Sequence, residues 1–116
     1  MTIRLRTAVL AAFIAAPAGA LAADDCDRPE PPAVPDGASA TQDELATAGS
    51  DVRTFVAASQ DFLACLEAKE AGYGAEITPA QQALVNAVYN AGVEAMETAA
   101  GAYNEAVRAY RAREDS

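Results

Sequence analysis

From residue 41 onward, apolar positions recur every three or four residues, the spacing of an amphipathic helix rather than the alternation of a strand. Thr41 and Glu44 form a Thr-x-x-Glu capping box at the start, in which each side chain satisfies the other's free backbone donor. At 100° per residue, Leu45, Val52, Phe55, Val56, Phe62, Leu63 and Leu66 fall in one stripe about 120° wide, with Asp43, Arg53, Gln60 and Asp61 outside it. The pattern stops at Gly72-Tyr73-Gly74, where glycine is expected at a helix C-terminus. A second helix begins at Thr78-Pro79-Ala80-Gln81, which combines an N-cap, proline at the first helical position and a capping-box glutamine. Val85, Tyr89, Gly92, Met96, Ala99, Tyr103, Ala106 and Tyr110 then alternate steps of four and three, a heptad pattern. Arg108, Arg111 and Arg113 in the last turns complement the helix dipole. Two long helices joined by a short glycine-containing loop must run antiparallel. The predicted fold is therefore all-α, a coiled-coil-like two-helix hairpin at 41–113 with helices over about 42–71 and 79–113.

The chain before residue 41 reads differently. Pro29, Pro31, Pro32 and Pro35 fix φ and favour extended polyproline II, so residues 23–40 are expected to form an extended arm. Pro35-Asp36-Gly37 reads as its terminal turn, with proline preset for the second position and glycine tolerant of positive φ. Residues 1–22 have the features of a signal peptide. Arg4 and Arg6 precede the apolar run Ala8–Ala16, Pro17 and Gly19 break it, and Ala20-Leu21-Ala22 offers a small–x–small cleavage pattern. That run is shorter than the roughly 20 apolar residues a membrane span requires, and no second such run follows. The expected product is exported, periplasmic or secreted, begins near Ala23 and has no membrane span.

Charge and composition then narrow the function. Loss of Arg4 and Arg6 takes the formal net charge from −9 to about −11, which repels phosphate backbones and anionic lipid. Nucleic acid is therefore not an expected partner. The chain has no histidine, so it has no imidazole base and no Ser-His-Asp or Cys-His arrangement. A short helical chain also has little volume for a cleft, and no enzymatic activity or cofactor is expected.

Cys26 and Cys65 are the two cysteines, and in an exported chain they are expected to pair. Such a bond straps the arm alongside the first helix. A redox-active pair and an intermolecular bond are the alternatives, and Cys-x-x-Cys spacing is absent. Asp24, Asp25, Asp27 and Glu30 are oxygen donors but lack the glycine-bearing turn of a calcium loop, so a solvated acidic segment is expected. Tyr89, Tyr103 and Tyr110 share a face with Met96 and read either as core or as the lining of a ligand groove. Tyr73, between two glycines, reads either as a recognition contact or as packing over the helix ends. Ala87, Ala91, Ala95, Ala102 and Ala109 share another face of the second helix, open to the arm or to a second subunit, although alanine is also simply the best helix former. Because a bare two-helix hairpin is marginal, self-association as a dimer or association with another envelope protein is expected.

The run Pro29–Gly37, then Ala40-Thr41, Phe62–Glu67 and Val107–Arg113, resembles a group of small, uncharacterised exported helical proteins of Gram-negative bacteria. The resemblance implies a periplasmic helical architecture and brings no activity, cofactor or site residue. The sequence thus points to a non-enzymatic periplasmic interaction or structural module acting through helix faces. The alternative is a small-ligand or metal-ion binder that uses the acidic arm or the tyrosine groove.

Overall fold

A computed structural model describes residues 26–115. The signal peptide expected at 1–22, its cleavage site, and Asp24 and Asp25 lie outside those residues. The described chain is a helical hairpin, with α1 at Gln42–Tyr73, a single 3-10 turn at Gly74–Glu76 and α2 at Pro79–Glu114. Both expected capping boxes form. The Glu44 N–H donates to Thr41 Oγ1 at 3.1 Å and the Thr41 N–H donates to Glu44 Oε2 at 2.9 Å. Thr78 and Gln81 repeat the exchange at the start of α2, at 3.1 and 2.9 Å. At the other end of α1, Gly72 remains helical and Gly74 terminates the helix with φ +58°, a conformation costly for any residue with a Cβ.

The expected stripe of α1 faces α2. Leu45, Val52, Phe55, Phe62, Leu63 and Leu66 are buried, and on α2 the buried positions are Val85, Gly92, Ala99 and Ala106. Each large apolar side chain removed from water contributes about 2 kcal/mol. Three small or polar residues that an apolar count passes over are buried as well, Ala48 and Ser59 within the arc of the stripe and Gly49 just beyond its edge. Gly49 is required by close approach, since a Cβ there would stand 2.7 Å from the Tyr103 hydroxyl oxygen. At mid-hairpin the large and small partners exchange sides, and a Cβ on Gly92 would lie 3.0 Å from Leu63 Cδ2. The helices therefore interlock by placing a bulky residue of one over a glycine of the other.

The arm lies along this pair as a third, non-helical strand of chain. Cys26, Pro29, Pro32 and Pro35 are buried or half-buried while Glu30, Pro31 and Ala33 are exposed, the three-residue period of polyproline II. From Cys26 to Ala40 such a segment reaches about 40 Å at ~3.1 Å per residue. A helix of the same length would reach only about 20 Å. Cys65 is twenty residues beyond Leu45 on α1, about 30 Å along the axis, so only an extended arm joins the two places. The prolines set the reach that the fold needs.

The turn joining arm to α1 differs from its expected form. Asp36 organises it: its carbonyl accepts from the Ser39 and Ala40 N–H groups at 3.1 and 2.9 Å. Its side chain accepts from the Ala38 N–H at 2.9 Å, forming an Asx turn. Gly37 has no positive φ, since Gly74 alone has one among the described residues. Glycine is needed at 37 for a different reason. A Cβ there would sit 1.8 Å from the Ala106 carbonyl oxygen, so the arm backbone rests directly on the α2 backbone.

Candidate functional site

Cys26 and Cys65 form the expected disulfide, with Cα atoms 5.6 Å apart. Cys26 is buried with Phe62, Leu63 and Leu66, and Cys65, Val88, Val93 and Met96 pack against that cluster. The bond therefore fixes the start of the arm over the middle of the hairpin core. It closes a loop with a sequence separation of 39, which in the chain-entropy model stabilises the fold by about 4 kcal/mol.

The far end of the arm is fixed without covalent chemistry. Ala40, Leu45 and Ala106 form a second buried cluster, with Val34 and Tyr110 against it. Arg113 donates from Nη1 to the Ala38 carbonyl at 2.9 Å and from Nη2 to the Ala40 carbonyl at 2.6 Å. Its guanidinium also lies 4.8 Å from the centre of the Tyr110 ring, a cation–π distance. Arg113 thus complements the α2 dipole and also ties the end of α2 to the arm. Charge-assisted hydrogen bonds to otherwise free carbonyls are the stronger kind. Between its two anchors, among the described residues, no backbone hydrogen bond links residues 27–35 to either helix.

This arrangement assigns the α2 alanine face in part. Ala91, Ala95 and Ala102 face the arm across an open groove of about 500 Å³, whose other wall is Arg28, Pro31 and Pro32. On the arm's opposite side, Ala33 and Pro35 border a shallower groove of about 370 Å³ with Asp43, Thr47 and Asp51 of α1. Ala87 lies beyond the described arm and is exposed. Of the five alanines, Ala91, Ala95 and Ala109 are half-buried beside the arm, whereas Ala102 on the groove rim and Ala87 nearer the hairpin tip are exposed.

Tyr89, Tyr103 and Tyr110 lie half-buried along the hairpin, and Tyr103 also borders a groove of about 330 Å³ with Asn104, Val107, Arg108 and Arg111. Tyr103 covers Gly49, Tyr110 lies beneath Arg113, and the Tyr89 hydroxyl donates to Glu67 at 3.3 Å. Tyr73, the last residue of α1, is half-buried. Asp27 and Glu30 are exposed, and among the described residues no three acidic or cysteine side chains converge as a metal-holding group. No described helix is long and apolar enough to cross a membrane.

One surface feature was missed by the periodicity. Leu84 is 65% exposed, the large apolar side chain that the fold leaves in water. At 100° per residue it shares an arc of about 80° with Ala80, Ala87, Ala91, Ala95 and Ala102. A heptad search passes over it, because it lies one position from Val85 and outside the seam. The signal that marks it is the charge pattern: residues 77–93 contain no Asp, Glu, Lys or Arg. Comparison with protein-family models, curated proteins and solved structures finds no match to this chain.

Proposed function

We propose that this protein is a non-enzymatic interaction module of the periplasm, acting through the exposed faces of its helical hairpin. One observation carries this proposal: the helices bury Leu45, Val52, Phe55, Phe62, Leu63, Leu66 and Val85, yet α2 leaves Leu84 65% exposed. An apolar side chain held in water on a rigid helix is what a protein partner removes from solvent. The export signal read in the sequence and the disulfide between Cys26 and Cys65 support an oxidising compartment for the module. The deciding experiment purifies the tagged protein gently from its host's periplasm and takes its native mass. A mass above that of one chain supports the proposal, and a lone chain under native conditions rejects it.

The groove between the arm and α2 favours a second function, binding of a small ligand. Its walls are largely apolar, from Pro31, Pro32, Ala95 and Ala102, and Arg28 and Glu94 add one charge of each sign. That combination suits a small, largely apolar molecule. A thermal-shift screen of envelope metabolites and metal ions tests it, since a ligand of the native state raises the melting temperature by mass action. Indifference to every compound removes this alternative and leaves the interaction module.

A further inference from the structure

We infer that the uncharged tip half of α2, centred on Leu84, is the surface by which two copies of this chain pair, with their α2 helices antiparallel. The inference rests on the interaction module proposed above and names its partner and its surface. It begins with charge. The chain carries −9 overall, so two copies repel one another over most of their surface. The base half of the same α2 face is flanked by Glu94 and Glu105 and bordered by the arm across open grooves. Residues 77–93 are the stretch without a charged side chain. On α1, Glu67 and Glu70 accept hydrogen bonds from Tyr89 at 3.3 Å and Gln82 at 2.8 Å. Helical phase puts both of those α2 residues on the flank roughly opposite Leu84. A basic partner would be drawn to the acidic surfaces instead. A second acidic copy is confined to this uncharged one.

The pattern of side-chain size is self-complementary in one arrangement. Leu84 is the large residue, and Ala80, Ala87 and Ala91 around it are small. A two-fold axis passing between residues 85 and 86 sets Leu84 against Ala87 of the partner subunit, and Ala80 against Ala91 of the partner subunit. Each leucine then occupies space left by an alanine, and the two-fold makes the contact occur twice. Two hairpins joined in this way form a four-helix arrangement, which buries the face that a single hairpin exposes. Ala80, Leu84 and Ala87 are exposed, and Ala91 borders the arm's groove beside Arg28.

The test is sedimentation equilibrium of the full exported protein, purified with its disulfide intact, over a concentration series reaching tens of micromolar. The wild-type chain is expected to be a dimer. Leu84→Glu places two carboxylates at the two-fold and is expected to raise the dimer dissociation constant by roughly a hundredfold or more. Ala102→Glu, on the same face but at the exposed rim of the arm's groove and outside the proposed contact, is expected to leave the constant unchanged. Leu84 is exposed in the single chain, so an unchanged far-ultraviolet circular dichroism spectrum establishes that the variant is folded. Ala87→Arg, which opposes the partner's leucine, should weaken the dimer independently. A wild-type monomer at these concentrations overturns the inference, as does a dimer that survives Leu84→Glu and is dispersed by Ala102→Glu. A monomer that cross-links through the Leu84 face to a different envelope protein overturns pairing with a second copy while retaining the interaction module. A monomer that engages nothing overturns both.

Discussion

The two ends of the hairpin are made from similar helices and finished in different ways. At the base, α2 presents Ala99 and Ala106, which are buried, and the arm comes down beside them. There Ala40 is 2% exposed, Gly37 touches backbone, and Arg113 ties two arm carbonyls. At the tip, α2 presents Ala80, Ala87 and Leu84, and no described residue covers them. What separates the ends is the segment from Cys26 to Ala40, which supplies a third wall to one half of a two-helix structure. A helix pair buries one side of each member, and a third element is needed to close a second side. Here an extended arm does so at one end only. The same kind of small-residue face is therefore core at the base and surface at the tip. Alanine content alone does not distinguish these outcomes.

The sharpest way to break this contrast is to free the arm at its start. Reduction of the disulfide, or Cys65→Ser, is expected to lower stability by about 4 kcal/mol, the loop-closure contribution. Far-ultraviolet circular dichroism should retain most of the helix signal while the denaturation midpoint falls; an unchanged midpoint would show that the strap does not hold the arm. Freeing the other end comes next. Gly37→Ala drives a Cβ into the Ala106 carbonyl and should cost about 3 kcal/mol, because backbone rather than a flexible side chain must yield. Urea unfolding measures it, and a change below about 0.5 kcal/mol would contradict the close approach.

Arg113→Ala is a milder lesion at the same joint. It removes two charge-assisted hydrogen bonds and the contact with Tyr110, and should cost about 1 to 2 kcal/mol. Arg113→Lys should recover only part of this, since an ammonium lacks the planar fork that reaches both carbonyls. Equal stability of the lysine variant and wild type would refute the bidentate tie. The smallest effect belongs to the tip. Leu84→Ala should change the stability of the single chain by less than about 0.5 kcal/mol, as for exposed positions generally. Hydrogen exchange sharpens the comparison without mutation: under conditions that keep single chains apart, the first turns of α2 should exchange faster than the turns around Ala106.

Much of this organisation follows from the sequence by itself, for reasons that are local. The capping boxes at Thr41 and Thr78 use residues three apart, so a short window suffices to locate both helix starts. The four prolines specify an extended arm because each fixes its own φ. The stripe from Leu45 to Leu66 identifies the face of α1 that meets α2, and two cysteines permit a single intramolecular pairing. The helix ends shifted by a residue or two because Gly72 tolerates helix and Gly74 is the residue that takes positive φ.

What only the tertiary structure decided depends on residues far apart in the chain. Arg113 reads as a dipole complement until its guanidinium is seen on carbonyls 75 and 73 residues away. Gly37 reads as a turn glycine, yet its reason lies in Ala106 on another element. Ala48, Gly49 and Ser59 carry too little hydrophobicity to join an apolar stripe, and they are buried because close-packed helices need small residues where backbones or rings approach. The division of the alanine face has the same origin. Periodicity places Ala87, Ala95 and Ala102 on one side of α2, but only the path of the arm half-buries Ala95, sets Ala102 on a groove rim and leaves Ala87 bare. Local rules fix the elements, and the contacts between elements fix which of their faces are left for a partner.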